Sequence, residues 1–114
     1  MAGGRRWLSM SYTHGVRVDW SHRGDYIAAR HGVRPQDADE ALADLDAVVF
    51  DPDFASLSGR SVRTIGWSPS VGRLLTVITL ADGALTYGVN AWPANDGDTR
   101  RYRTEEQPGD DDER

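Results

Sequence analysis

"SVRTIGWSPSVGRLLTVITLADGALTYGVNAWP", residues 61–93, decides the fold. It divides into three β-rich runs, Ser61–Trp67, Arg73–Leu80 and Leu85–Ala91, dense in valine, isoleucine and threonine. The joins are Ser68-Pro69-Ser70-Val71-Gly72 and Ala81-Asp82-Gly83. Both are too short for a crossover helix and carry the turn residues of hairpins. Consecutive strands joined in this way predict an antiparallel meander.

Working upstream, Ala47-Val48-Val49-Phe50 adds a short strand closed by Asp51-Pro52-Asp53, and residues 54–59 form a loop. Before it the period becomes helical. Pro35 suits a first helical turn, Gln36 and the acids Asp37, Asp39 and Glu40 lie near the N-terminal dipole, and Ala38, Ala41, Leu42 and Leu45 make an apolar stripe. An earlier helix is expected over about residues 22–30, capped by Ser21 and ended by Gly32. Val16–Trp20 alternates as a first strand. Downstream, Asn95 or Asp96 caps a last helix over about 96–103. The expected class is α+β: a small antiparallel sheet packed against two N-terminal helices, with a short C-terminal helix. Residues 16–103 read as one domain, residues 1–15 as a flexible extension and residues 104–114 as a disordered acidic tail.

Composition narrows the chemistry. With 114 residues the chain suits one domain with a modest core. It has no cysteine, which removes disulfides, thiolate metal sites and cysteine nucleophiles. No apolar run reaches the roughly 18 residues of a membrane span, and no apolar stretch follows Arg5 and Arg6 as in a signal peptide. A cytoplasmic protein is expected. The net charge of −5 argues against a broad electrostatic grip on nucleic acid. The charge is unevenly spread, however. Acids crowd between Asp37 and Asp53, and arginines recur at 60, 63, 73, 100 and 101, so one face could still be basic.

Phosphate-loop, dinucleotide and metalloprotease motifs are all missing from the sequence. His14, His22 and His31 are scattered and imply no metal site. His31 has two readings. It is a helix C-terminal residue favoured by the dipole, or a general acid or base with a pKa near neutrality. The Asp37–Asp53 acids read mainly as a solvated helix face. Arg60, Arg73, Arg100 and Arg101 form a phosphate site if they converge, since a guanidinium is always charged and grips phosphate as a fork; otherwise they are surface charge.

The ordered set Arg30-His31-Gly32-Val33, an acidic Ala-rich helix, Arg63-Thr64-Ile65-Gly66-Trp67-Ser68, Gly72-Arg73-Leu74-Leu75-Thr76-Val77-Ile78-Thr79 and a strand leading to Arg100-Arg101-Tyr102 resembles BrnT-type toxins over about residues 17–102. The resemblance implies a RelE-like fold and a toxin of a type II toxin–antitoxin pair. It implies a metal-independent, mRNA-cleaving endoribonuclease without cofactor. The implied partner is a small ribbon-helix-helix DNA-binding antitoxin of the BrnA kind, with a homodimer or hetero-oligomer as the assembly. The site residues it points to are His31, Arg60, Arg63 and Arg73 for catalysis, and Asn90, Trp92, Arg100, Arg101 and Tyr102 for RNA. Arg30 stands where the family has lysine, Ile27 where it has asparagine, and Trp92 where it has a strand-end arginine. Trp92 therefore has two readings: a base-stacking platform in a ribonuclease, or an anchor in a catalytically inactive, protein-binding relative.

Overall fold

A computed structural model describes residues 17–104. The expectations for residues 1–15 and for the tail lie outside the described residues, except that Thr104 belongs to the last helix. The elements are β1 (Val18–Asp19), α1 (Gly24–His31), α2 (Pro35–Leu42), β2 (Val48–Phe50), β3 (Ser61–Ser68), β4 (Arg73–Asp82), β5 (Leu85–Pro93) and α3 (Asp96–Thr104). The chain is α+β.

The sheet order is β1-β5-β4-β3-β2. β2 to β5 form the expected antiparallel meander, with Thr64 opposite Val77 and Ile65 opposite Thr76. The sheet as a whole is mixed, which corrects the expected all-antiparallel arrangement: β1 lies parallel to β5, Val18 beside Thr86. β1 is short because the chain turns at Trp20, whose carbonyl accepts from the amides of Arg23 and Gly24. That turn, with Arg23 at the N-cap, starts α1 later than a Ser21 cap would. α2 ends at Leu42, so Leu45 falls outside the helix and is exposed rather than completing its stripe.

Strand alternation gives the sheet two distinct faces. α1 and α2 cover the face carrying Gly66, Leu75, Val77 and Ala91. There Trp20, Ile27, Val33, Ala38, Ala41 and Leu42 complete one apolar cluster. Full burial of a side chain such as Ile27 contributes about 1.5–3 kcal/mol. Two glycines permit the close approach. A Cβ on Gly66 would run into the Ala41 carbonyl, and one on Gly88 into the Trp20 ring.

β5 holds a bulge. Ile78 pairs with Asn90 and Thr79 with Gly88, leaving Val89 unopposed. The Val89 carbonyl instead accepts from Arg23 Nε at 2.9 Å, which ties α1 to β5. Beyond the bulge, Ala91 faces the helices, and Asn90 and Trp92 face the other side. β5 runs on to Pro93, two residues past the expected end at Ala91, so Trp92 is a strand residue.

Candidate functional site

The face opposite α1 and α2 is organised around Arg63. Its register neighbours are Phe50 on β2 and Ile78 on β4, and Ile78 in turn faces Asn90. The next row is Val48, Ile65, Thr76 and Trp92. α3 and the loop after β2 close over these rows. Asn95 caps α3, its Oδ1 accepting from the Asp98 amide at 2.8 Å, and this sets Asp98 facing the sheet.

Arg63 is buried and held by two carboxylates. Its Nε donates to Asp53 Oδ1 at 2.8 Å and its Nη1 to Asp98 Oδ2 at 2.7 Å. Asp98 is fully buried and also accepts from Thr76 Oγ1 at 2.7 Å and from Arg101 Nη1 at 2.9 Å. Charge-assisted bonds of this kind need each partner, because a buried charge left alone is costly. Two cations thus meet two anions, and the network itself is close to neutral.

A line of cations and rings runs out from this network. The Arg101 guanidinium lies 4.3 Å from the Phe54 ring centre, and Arg63 lies 4.3 Å from the same ring. Arg63 is 5.7 Å from the Trp92 ring. His31 is 6.1 Å from Trp92, Tyr26 is 6.1 Å from His31, and Arg23 sits 4.0 Å over Tyr26. Such spacings fall in the range of cation–π and aromatic contacts. Phe54 and Tyr26 are exposed, with His31 and Trp92 half-buried, so much of the line faces solvent.

The residues expected from the sequence divide in two. His31, Arg63, Trp92 and Arg101 come together, with Asn90 on the same face of β5. Arg60 does not join them: its Nη2 donates to the Ala81 carbonyl at the far end of β4. Arg73 begins β4 beside Ser68 and shares the helix-covered side with Leu75. Arg73 and Ala81 lie eight strand steps apart on β4, about 27 Å at strand rise, so Arg60 and Arg73 cannot grip one phosphate. Arg100 lines a shallow groove on the outer side of α3 with Asp96, Thr99 and Arg103, away from Arg101. Tyr102 donates to Asp44 Oδ2 at 2.8 Å, the atom that also accepts from the Trp67 amide, and so ties α3 to the end of α2. Arg60, Arg73, Arg100 and Arg101 therefore do not converge on one phosphate site, and the line of contacts is built around Arg63 instead. Sequence reasoning missed Tyr26, Phe54, Asp53 and Asp98 as parts of it. An aromatic directly after an Asp-Pro-Asp turn was the available signal for Phe54.

Of the acids between Asp37 and Asp53, Asp39, Asp46 and Asp51 are exposed, Glu40 and Asp44 half-buried, and Asp37 and Asp53 buried, so the run is largely solvated while several of its members also make structural bonds. Asp37 is buried and takes the Arg34 amide and guanidinium; that bond to the Arg34 side chain holds its carboxyl below the usual range. Glu40 is lowered by its bonds to Ser70 and Ser68. Asp39 is raised, because burial outweighs the bond it accepts from the Trp20 indole at 3.0 Å. These acids fasten α2 to its surroundings. Among the described residues no group of His, Asp or Glu is arranged to hold a metal ion, and no helix is long and apolar enough to cross a membrane. No protein-family model matches the chain, and the search of curated proteins finds no match.

Proposed function

We propose that the chain is a BrnT-like, RelE-like toxin component that engages single-stranded RNA along the Trp92 face and cleaves it in the cytoplasm, with a small antitoxin as its partner. The observation that carries the reading is the line of cations and rings from Arg23 to Arg101, assembled from α1, β3, β5, α3 and the loop after β2. Rings interleaved with arginines suit an unpaired strand: each stacked base contributes about 1–3 kcal/mol, and the cations follow the phosphates. The chain's negative net charge matters less when contact is confined to such a strip.

Cleavage needs a base to take the proton of a ribose 2′-hydroxyl. The freed oxygen attacks the adjacent phosphorus, and the 5′-oxygen leaves with a proton from an acid, giving a cyclic phosphate and a free 5′-hydroxyl. His31 is the side chain of this face suited to that exchange, beside a base stacked on Trp92. A solvent-facing arginine of the line stabilises the charge that gathers on phosphate in the transition state.

A second reading, a non-cleaving binding module, is favoured by one observation: Arg63 is already neutralised by Asp53 and Asp98. Expression of the full chain, with and without the neighbouring small gene product, separates the two. Growth arrest with fragmented RNA, relieved by the partner and by His31→Ala, is the expected result. A soluble chain that leaves growth and RNA intact removes the ribonuclease reading.

A further inference from the structure

Two arginines at the Phe54 end of the line are candidates for contacting phosphate there, and they differ in what remains free. Arg63 has only 9 % of its side chain exposed and gives Nε and Nη1 to carboxylates on two sides. Arg101 has 42 % of its side chain exposed and gives Nη1 to a single carboxylate oxygen of Asp98. Its guanidinium is nevertheless aimed. Asp98 holds one edge and the Phe54 ring lies 4.3 Å from it. A Cβ at Gly97 would lie 3.1 Å from Arg101 Nη1, a tight contact from which the guanidinium would have to shift by a few tenths of an ångström. A guanidinium fixed on one side and open on the other is preorganised for an oxyanion, and little side-chain entropy is lost when one binds.

We infer that Arg101 is the phosphate-contacting group at the Phe54 end of the line, that Asp98 and Phe54 are its positioning residues, and that Arg63 holds the face together without touching the nucleic acid. The assignment rests on the RNA reading above. It makes Arg63 a neutralised internal tie, and it gives the exposed Phe54 a task beyond covering the loop.

The test is binding of the purified full chain to a short single-stranded RNA oligonucleotide across a salt series. Each phosphate neutralised on a single strand contributes about 0.7 to the slope of log affinity against log salt. Arg101→Gln is expected to make the slope shallower by about that amount. Phe54→Leu, at an exposed position, weakens binding and flattens the slope in the same direction. Combined with Arg101→Gln it flattens the slope no further, because its effect on the phosphate contact acts through Arg101. Arg63→Gln, once circular dichroism shows that it is folded, leaves the slope unchanged. An unchanged slope in Arg101→Gln, or a slope that Phe54→Leu flattens further in the pair, overturns the assignment while RNA binding itself stands. No binding by the unaltered chain at low salt removes the RNA reading and this assignment with it.

Discussion

On one side of the sheet Leu75, Val77 and Ala91 are buried against Trp20, Ile27 and Leu42 by apolar contact. On the other, Arg63, Asp53 and Asp98 are buried with nearly as little exposure. The first side is stabilised by removal of apolar area from water, which tolerates small displacements. The second depends on each donor finding its acceptor, since desolvated charges are stable only in complete sets. The same sheet therefore carries a forgiving face and an exacting one, and the exacting face is where the rings and half-exposed cations of the candidate site gather.

The largest way to break this contrast is Arg63→Ala. It leaves Asp53 and Asp98 buried with one cation fewer, and a loss of about 3–5 kcal/mol in chemical denaturation is expected. A loss below about 1 kcal/mol, the scale of a surface pair, would mean that the network is not sealed from water.

A sharper comparison uses one substitution on both faces. Thr76 donates to Asp98, whereas the buried Thr64 hydroxyl, on the helix-covered face of the neighbouring strand, finds no partner among the described residues. Thr76→Val should cost about 1.5–3 kcal/mol, the value of a bond to a charged group. Thr64→Val removes an unpaired buried hydroxyl and should raise stability by about 1 kcal/mol. Equal effects at the two positions would erase the distinction between the faces.

The smallest expected effect is acid sensitivity on the α2 side. Asp37 and Glu40 are both held below their ordinary range. Their contribution is fully present above the unfolded carboxylate pKa of about 4 and is lost as pH falls through the lower folded values. Asp39, which is raised, works in the opposite sense: its contribution is present at low pH and is lost as pH rises through its folded value. Denaturation midpoints measured from neutral to acid pH should fall, and Asp37→Asn or Glu40→Gln should flatten that fall.

Much of the meander was legible from the sequence because turn chemistry and β-branched runs are local. Ser68–Gly72 and the turn at Gly83 both join neighbouring antiparallel strands. β1 was placed only roughly, because its parallel pairing with β5 joins residues far apart in the chain. Within the candidate site, His31, Trp92 and Arg101 were visible as residue types. Their company was not: the bulge at Val89 decides which side Trp92 faces, and no local pattern announces it. Arg60 and Arg73 looked alike as strand-flanking cations, yet the hairpin register sends them to opposite ends.

By itself, then, the sequence determined the strand–turn–strand order, the helical stripe of α2 and the absence of cysteine chemistry. Those depend on neighbours within a few residues. Only the tertiary structure decided which arginine is buried and which is free. Arg63 and Arg101 carry the same charge, but Asp53 and Asp98 reach Arg63 from elements 10 and 35 residues away, and Arg101 shares just one of them. Burial and pairing over such separations are properties of the assembled faces, and they set what each guanidinium can still bind.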